Sequence, residues 1–391
     1  TGASVSMAES LTRLVANLPR AECRGGTDIA VKGITCDSRQ VMPGFLFVAY
    51  RGVMVDGHDY IHQALASGAT ALVVETLPDT SAGVPVVVVP SGREALAHLS
   101  AAWYGHPSHR LTVIGVTGTD GKTTTCNLIH SILTAAGRRV GLVTTVNTVI
   151  GDRVMDTGLH TTTPDAPDVQ RYLADMVAAS PNAEVAVLEA TSHGLEQHRV
   201  AACDFDVAVV TNVTHEHLDI HGSLEAYQQA KAMLFDQLGT GYRKPGVPKV
   251  SVLNADDDSY RYLSTKPADR TLTYSVGGQA DVAATDVRIG RSGNEMRFAV
   301  RSPSADFELR TRLPGRFNVS NILAATGASL ALDVPVGAIQ RGVWEVGSIT
   351  GRMERVDEGQ DFLAIVDFAH TPNALERALE TARTLTAGRV I

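Results

Sequence analysis

The sequence predicts a multi-domain α/β protein whose central part is a P-loop-type, mostly parallel sheet with helices on both faces. The first observation behind this prediction is GVTGTDGKTTT at 115–125, a glycine-rich loop between a short apolar run and a segment with helical apolar spacing. The second is that apolar runs alternate with helical segments from residue 111 to about residue 313. The third is length, because 391 residues are too many for one compact domain.

The predicted elements of the central part follow one another as strand, loop and helix. Strands are predicted at 112–116, 140–144, 185–189, 207–211 and 250–254, and the longer helices at 126–136, 166–179, 224–238 and 318–331. Residues 281–313 alternate with a period of two, which predicts a strand pair at the edge of the sheet. Ligands of such sheets bind beyond the carboxyl ends of the parallel strands, so we expect the site residues there.

The pattern divides into three predicted domains. Residues 1–106 alternate short apolar runs with turn signals, which predicts a small N-terminal α/β domain. Residues 107–348 form the predicted central domain, which begins with a linker at 107–110. Residues 349–391 begin a C-terminal α/β domain with a strand at 362–367 and a helix at 375–385. We expect this last domain to be incomplete, because the chain stops in a pattern typical of the start of a strand.

Composition and charge favour an ordinary globular protein, since hydrophobic residues make up 44% and charged residues 19% of the chain. The net charge of -8 argues against nucleic acid as a partner. Four cysteines follow no metal-ligand spacing, which favours a reducing compartment. The sequence contains neither an apolar run of transmembrane length nor an N-terminal signal pattern. We therefore expect a cytoplasmic protein without a membrane span, and we take it to be a monomer.

The glycine-rich loop is typical of a nucleotide-binding site. Its glycines let the backbone turn with N–H groups inward, and the following helix N-terminus adds positive potential, so the loop can hold phosphates. Lys122 would reach the β- and γ-phosphates, and the hydroxyl of Thr123 would bind Mg²⁺. The usual spacing has glycine where this chain has Val116, so the loop is a variant. The simplest alternative is a glycine-rich turn with a surface lysine.

Polar segments follow two of the predicted strands. Glu189 ends one strand, where it would either share Mg²⁺ with Thr123 or be solvated. The segment at 190–199 is dense in donors that suit an anionic ligand. After the strand at 207–211 come His215, His217 and His221, whose spacing suits zinc. Because no cysteine or HExxH helix supports zinc, we favour a magnesium or phosphate role for one of these histidines.

Lys231 lies in the predicted helix at 224–238, within the amphipathic segment AKAMLF. A lysine at such a position is usually a surface group whose aliphatic stem covers apolar area. Spacing alone therefore predicts a solvent-exposed Lys231.

Seven segments together resemble the motif series of the Mur ligase family. They are TGTDGKTTT at 117–125, EATSHGLEQHR at 189–199, TNVTHEHLDIHG at 211–222, AKAMLF at 230–235, LPGRFNVSNILAA at 313–325, GRMERV at 351–356 and DFAHTP at 367–372. Their order and spacing agree along the whole chain. HTTTPDA at 160–166 and DSRQVMPGFLFVA at 37–49 most resemble the MurE branch of that family.

The resemblance implies an ATP-dependent amide ligase of peptidoglycan synthesis. ATP would phosphorylate the D-glutamyl carboxylate of UDP-N-acetylmuramoyl-L-alanyl-D-glutamate, and the amine of a diamino acid such as meso-diaminopimelate or L-lysine would then displace phosphate. The implied cofactors are ATP, two Mg²⁺ ions and a carbamylated lysine at position 231. Two alternatives stay open: another Mur-type ligase with a different substrate, and a non-catalytic paralogue that binds the nucleotide or the muropeptide.

The resemblance also implies roles for individual residues. The implied catalytic residues are Lys122, His217 and Lys231. The implied ATP-binding residues are Gly118, Thr119, Asp120, Gly121, Lys122, Thr123, Thr124, Asn318, Asn321, Arg352, Asp367 and His370. The implied substrate-binding residues are Ser38, Thr162, Thr163, Ser192, Gln197 and Arg199, and the implied metal ligands are Thr123, Glu189, His217 and carbamylated Lys231. Asp120 stands where the family loop has asparagine, and its charge should repel phosphates.

Overall fold

The computed structural model describes residues 8–78, 83–156, 163–179, 181–214, 222–290 and 295–391. The chain divides into two compact units. The first comprises Thr1–Pro107, Pro164–Ala174 and Gln197–Cys203, and the second Ser108–Thr163, Asp175–Glu196 and Asp204–Ile391. Within the described ranges, none of the helices combines the length and the apolar character needed to cross a membrane.

The first unit is built on a small five-stranded sheet. Its elements are β1 (Glu9–Ser10), α1 (Leu11–Val15), β2 (Glu22–Arg24), β3 (Ala30–Val31), β4 (Gly33–Thr35), β5 (Phe45–Val48), α2 (Ile61–Ala66), β6 (Ala71–Val74), β7 (Val86–Val88) and α3 (Gly92–Trp103). The sheet order is β2-β7-β6-β5-β4, in which only β2 pairs antiparallel. β6 is buried along its whole length, as expected for a strand covered on both faces.

The second unit contains an eleven-stranded sheet. Its strands are β8 (Thr112–Thr117), β9 (Val140–Val143), β10 (Asn147–Ile150), β11 (Arg153–Asp156), β12 (Val185–Glu189), β13 (Val207–Val210), β14 (Val250–Asn254), β15 (Arg270–Val276), β16 (Val282–Ile289), β17 (Met296–Arg301) and β18 (Phe307–Thr311). The order is β11-β10-β9-β12-β8-β13-β14-β15-β16-β17-β18. All neighbours from β9 to β16 in this order are parallel, and antiparallel strands extend both edges.

Helices cover both faces of the large sheet, as predicted. They are α4 (Lys122–Ala135), α6 (Ser192–Glu196), α7 (Leu224–Thr240), α8 (Tyr260–Leu263), α9 (Phe317–Leu330) and α10 (Val336–Glu345), while α5 (Ala166–Ala178) begins in the first unit and ends in the second. Successive side chains of a strand point to opposite faces. On β8, Ile114 and Val116 join one apolar core with residues of α4, α9 and α10. Gly115 between them faces the other way, because a Cβ there would lie 2.6 Å from Leu234 of α7.

The last described segment is a short hairpin followed by a helix. β19 (Glu354–Val356) pairs antiparallel with β20 (Ala364–Val366), and α11 spans Pro372–Leu385. The hydroxyl of Thr371 accepts a hydrogen bond from the N–H of Ala374, which caps the start of α11.

The predicted strand pair at 281–313 is wrong, because the structure has three strands there, β16, β17 and β18. A period-two pattern marks extended chain but does not fix how many turns interrupt it. One turn lies between β17 and β18, where the hydroxyl of Ser302 donates to the carbonyl of Ala305 at 2.6 Å. The hairpin of β10 and β11, the strand β15 and the helix α10 were not predicted.

A buried group of charges lies at the amino-terminal end of β13. Asp206 is fully buried and accepts hydrogen bonds from the N–H of Val113 at 2.8 Å and from Nζ of Lys249 at 3.0 Å. Lys244 forms a further ion pair with the same carboxylate. Burial lowers the pKa of Lys244, and the charge of Asp206 acts in the opposite direction. This carboxylate therefore holds the starts of neighbouring strands together at the end of the sheet opposite to the expected site.

Removal of this carboxylate should destabilise the second unit. Asp206→Ala leaves two buried lysines without their common partner, so we expect the free energy of unfolding to fall by about 3–5 kcal/mol. Urea denaturation of the full chain measures this loss, and Asp206→Asn serves as the milder variant if the alanine protein does not fold. Arg297→Ala, which breaks an ion pair with Glu295 at the surface, should cost much less because solvent screens this pair. Equal losses for the Asp206 and Arg297 variants would contradict the role of Asp206.

His130 on α4 should make stability depend on pH. Partial burial lowers its pKa from the usual 6.5, and a hydrogen bond with the backbone of Val140 acts in the opposite direction. The unfolded chain then binds a proton at higher pH than the folded one, so this residue destabilises the fold as pH falls below about 6.5. Between pH 7 and 5 the Tm of the wild type should fall more steeply than that of His130→Asn. Parallel pH profiles for the two proteins would show that His130 has no such effect.

Candidate functional site

A cavity of about 640 Å³ lies beyond the carboxyl ends of the parallel strands in the second unit. Most of the residues expected to serve the site line it. They are Gly118, Thr119, Asp120, Gly121, Lys122, Thr123, Thr124, Glu189, Ser192, Lys231, Asn318, Asn321, Arg352, Asp367 and His370. The structure therefore brings residues from six separated sequence segments to one place.

The glycine-rich loop between β8 and α4 has a backbone that requires glycine at two positions. Gly118 has φ +143° and Gly121 has φ +82°. A Cβ at Gly118 would lie 1.9 Å from Oγ1 of Thr211, and a Cβ at Gly121 would lie 2.2 Å from Oδ1 of Asn321. α4 begins at Lys122, directly after the loop. The loop and the first N–H groups of a 14-residue helix are thus arranged as in anion-binding sites.

The residues after β13 hold the loop backbone. The N–H of Thr119 donates to the carbonyl of Asn212 at 2.7 Å, and the N–H of Asp120 donates to Oδ1 of Asn212 at 3.1 Å. Oγ1 of Thr211 donates to the carbonyl of Asp120 at 2.6 Å. Oδ2 of Asp120 is buried and has no hydrogen-bond partner among the described residues. The loop is therefore fixed through its backbone, while the Asp120 side chain contributes a negative charge.

Two lysines converge on one carbonyl of the loop. Nζ of Lys122 donates to the carbonyls of Gly118 at 3.1 Å and Thr119 at 2.7 Å. Nζ of Lys231 donates to the same Gly118 carbonyl at 2.7 Å and lies 4.1 Å from the centre of the Tyr227 ring. Lys231 is 1% exposed, so the prediction of a solvent-exposed lysine is wrong. The face of α7 that carries it packs on the sheet beside the loop, which spacing alone did not reveal.

Glu189 is buried at the end of β12, with 3% of its surface exposed, so the solvated alternative is wrong. Its Oε2 accepts from Oγ1 of Thr123 at 2.9 Å and from the N–H of Thr145 at 3.1 Å. Its Oε1 accepts from Oγ1 of Thr145 at 2.9 Å. Nη2 of Arg352 donates to Oγ1 of Thr123 at 3.2 Å. A hydroxyl and a carboxylate of adjacent elements thus meet beside the phosphate loop.

This donor set fits a magnesium ion. Mg²⁺ takes oxygen ligands and commonly uses one or two protein groups together with phosphates and water. The hydroxyl of Thr123 and the carboxylate of Glu189 are such groups. The described part of the chain contains no cluster of three or more histidine, cysteine or carboxylate side chains arranged to hold a metal by themselves.

Two buried asparagines on α9 face the other side of the loop. Nδ2 of Asn321 donates to Oδ1 of Asn318 at 2.9 Å, and Nδ2 of Asn318 donates to the carbonyl of Pro314 at 2.6 Å. The apolar side chains of Leu313 and Phe317 line the cavity beside them. Apolar side chains together with a few amide groups are the kind of lining that binds a nucleobase.

The segment after residue 350 lines another side of the cavity. Asp367 accepts from the N–H of Met353 at 2.6 Å and from the N–H of Ala369 at 2.8 Å, which ties the residue after Arg352 to the segment that follows β20. The guanidinium of Arg352 lies 5.1 Å from the centre of the Phe368 ring. Nδ1 of His370 contacts the carbonyl of Phe368 at 2.9 Å.

The remaining predicted site residues that the structure describes are not among those that line the cavity. Thr163 is buried next to Glu189, where its hydroxyl donates to the Glu189 carbonyl at 3.2 Å. Ser38, Gln197 and Arg199 belong to the first unit. There, Ser38 donates to Oε1 of Gln63 at 3.0 Å and Nη2 of Arg199 donates to Oε1 of Gln197 at 2.8 Å. Thr162 and His217 lie outside the described residues, as do His215 and His221.

Several cavity residues were missed by the sequence reasoning. Thr145 follows β9 and Asn212 follows β13, so the rule that site residues follow parallel strands could have found both. Asp257 comes shortly after β14, and its Oδ2 accepts from the N–H of Val213 at 3.1 Å. Tyr227 precedes Lys231 by one helical turn, and its hydroxyl lies 3.2 Å from Oγ1 of Thr119. Apart from this spacing, no motif marks Tyr227 as a cavity residue.

Comparison with known protein families identifies the chain. The family described as Mur ligase middle domain matches residues 116–329, more than half of the sequence. The chain belongs to the Mur ligase family. Residues 30–104 match the description Mur ligase family, catalytic domain, and residues 351–391 match Mur ligase, glutamate ligase domain. The resemblance found in the motif series is confirmed.

Individual Mur ligases resemble the chain over most of its length. The UDP-N-acetylmuramoyl-L-alanyl-D-glutamate--2,6-diaminopimelate ligase of Geobacillus thermodenitrificans (strain NG80-2) is 43% identical, and the alignment covers 95% of this chain and 74% of that protein. The UDP-N-acetylmuramyl-tripeptide synthetase of Roseiflexus sp. (strain RS-1) is 46% identical, with coverage of 92% and 72%. These relatives carry the names of the MurE branch, which the segments at 160–166 and 37–49 resemble.

Solved Mur ligase structures share the fold. A UDP-N-acetylmuramoyl-L-alanyl-D-glutamate--2,6-diaminopimelate ligase superposes with a TM-score of 0.80 at 30% identity, and the match covers 98% of this chain and 76% of that one. The MurF ligase of Thermotoga maritima, solved in complex with ADP, gives a TM-score of 0.60 at 22% identity, with coverage of 89% and 74%. The predicted multi-domain α/β fold with a large, mostly parallel sheet is confirmed.

The charge of Asp120 should weaken nucleotide binding. Asp120→Asn keeps the backbone contacts of the loop and removes a carboxylate that would repel phosphates. We expect the Kd for ATP to fall by about 3- to 10-fold, which corresponds to roughly 1 kcal/mol of repulsion in a solvated cavity. Isothermal titration calorimetry measures the two constants, and an unchanged or weaker affinity of the variant would count against the repulsion.

Proposed function

We propose that this chain is an ATP-dependent amide ligase of peptidoglycan synthesis that adds a diamino acid to UDP-N-acetylmuramoyl-L-alanyl-D-glutamate. The names of the relatives support the substrate, and 2,6-diaminopimelate is the diamino acid in the name of the Geobacillus enzyme. The observation that carries the proposal is the convergence of Lys122, Lys231 and Glu189 on the loop at 118–123. These groups suit a reaction between two anions.

The proposed reaction joins a carboxylate to an amine through an acyl phosphate. The D-glutamyl carboxylate attacks the γ-phosphorus of ATP, and ADP leaves. The amine then attacks the acyl carbon, loses a proton, and phosphate departs. The loop N–H groups and Lys122 would bind the phosphates and stabilise charge that develops on them. Mg²⁺ bound by Thr123 and Glu189 would supply further charge neutralisation.

Lys231 is proposed to be carbamylated. In this step its neutral amine forms an N–C bond with CO₂ and releases a proton, which leaves a carboxylate-like group on the side chain. The position of Lys231 supports the proposal, because this buried side chain lines the cavity and its Nζ lies 2.7 Å from the Gly118 carbonyl of the loop. The modified side chain and His217 would bind a second Mg²⁺.

The other expected roles are retained as proposals. ATP would bind at the loop, at Asn318 and Asn321, and at the groups that follow residue 350, Arg352, Asp367 and His370. The muramoyl dipeptide would contact Thr162, Thr163, Ser192, Gln197 and Arg199, and Ser38 would belong to the pocket for its uridine diphosphate. Residues 1–106, 107–348 and 349–391 would be the substrate-binding domain, the ATP-binding domain and the beginning of the third domain. We propose a cytoplasmic monomer.

Release of phosphate by the full-length gene product tests this function. The assay contains ATP, Mg²⁺ and UDP-N-acetylmuramoyl-L-alanyl-D-glutamate, with meso-diaminopimelate, L-lysine or L-ornithine added in turn. We expect turnover with one of the three amino acids. Lys122→Ala should lower this turnover by at least about 100-fold, because a cation at the phosphates is lost. The same variant should keep its affinity for the uridine nucleotide within about threefold.

Two outcomes would contradict the proposal. A folded protein that binds the dipeptide but releases no phosphate with any of the three amino acids would favour a ligase for another substrate or a non-catalytic paralogue. Equal loss of turnover and of uridine nucleotide binding in Lys122→Ala would contradict the assignment of Lys122 to ATP.

A further inference from the structure

Thr145 contacts both oxygens of the Glu189 carboxylate. Its N–H donates to Oε2 at 3.1 Å and its hydroxyl donates to Oε1 at 2.9 Å. Both side chains are buried, so water cannot easily replace these bonds. We infer that Thr145 is a positioning residue, which orients Glu189 for binding of a divalent cation. The inference rests on the proposed role of Glu189 as a metal ligand.

Neighbouring parallel strands bring the two residues together. β9 pairs with β12 so that Val143 lies opposite Leu188, and the residues that follow these two positions leave the sheet side by side. Thr144 is turned away, because its hydroxyl donates to Oδ1 of Asn147 at 2.7 Å. The turn that Thr144 stabilises leaves Thr145 facing Glu189.

The two oxygens of the Glu189 carboxylate accept different numbers of hydrogen bonds. Oε2 accepts from Thr123 and from the Thr145 N–H, whereas Oε1 accepts only from the Thr145 hydroxyl among the described residues. Each carboxylate oxygen has about two acceptor positions. The remaining acceptor position is therefore on Oε1, the oxygen that the Thr145 hydroxyl holds in place.

Loss of the Thr145 hydroxyl should lower the affinity for the metal without destabilising the fold. Groups that orient a metal ligand typically account for 10- to 100-fold in metal affinity. Valine has the shape of threonine and donates no hydrogen bond, so Thr145→Val frees Oε1 without opening a cavity. Serine keeps the donor.

The experiment measures binding of Mn²⁺, used as a paramagnetic probe for the divalent cation, by electron paramagnetic resonance. It uses the full-length protein in the presence of ADP and does not require turnover. We expect Thr145→Val to raise the Kd for Mn²⁺ by about 10- to 100-fold and Thr145→Ser by less than about threefold. The affinity for ADP without metal should be unchanged in both variants.

Thr148→Val is the matched control. Thr148 is a fully buried threonine on β10 whose hydroxyl has no hydrogen-bond partner within the described ranges. Its variant should bind Mn²⁺ like the wild type. If Thr145→Val does not fold, Thr145→Ala decides the same question, with the same expected loss.

The outcomes separate this inference from the proposed function. Wild-type Mn²⁺ affinity in Thr145→Val, or equal losses in the valine and serine variants, would overturn the role of the hydroxyl while the ligase proposal stands. Unchanged Mn²⁺ affinity in Glu189→Gln would show instead that Glu189 is not the ligand. That result would refute the metal assignment of the proposed function, and the inference with it.

Discussion

Lysine side chains from two different helices of the second unit donate hydrogen bonds to the carbonyl of Gly118. The residue has φ +143° and lies so close to Thr211 that no side chain fits. Lys122 reaches this carbonyl from the first turn of α4 and Lys231 reaches it from α7 on the other face of the sheet. Two lysine side chains from opposite layers can meet there because the backbone turns at Gly118 and exposes its oxygen.

Carboxylates at the two ends of the parallel sheet differ in how fully they are hydrogen-bonded. At the amino-terminal end, Asp206 binds two buried lysines and the N–H of Val113, so its charges are satisfied within the protein. At the carboxyl end, Asp120 keeps a buried oxygen without a partner among the described residues. Charges paired inside the fold contribute to its stability, whereas polar groups left with acceptor capacity are available to a ligand. The parallel strands therefore begin at a cluster of paired charges and end at the polar lining of the cavity.

Two consecutive hydrogen bonds connect the segment after residue 350 to Glu189. Arg352 donates to the Thr123 hydroxyl, which itself donates to Glu189. Asp367 accepts from the N–H of Met353, the residue that follows this arginine, and from the N–H of Ala369. Any cation that binds Thr123 must share its oxygen with a guanidinium, so binding at the loop and the position of this segment are physically coupled.

The sequence alone predicted most strands and helices of the parallel part of the large sheet, the glycine-rich loop and the family, because these depend on local periodicity and on motifs that are contiguous in the chain. It predicted β12 and β14 to the residue. It did not determine the burial of Lys231, the number of strands at 281–313, or the contact between Thr145 and Glu189. Each of these depends on which strands and helices become neighbours. Only the tertiary structure sets β9 beside β12 and α7 beside the loop, since that choice is made by packing across the whole sheet.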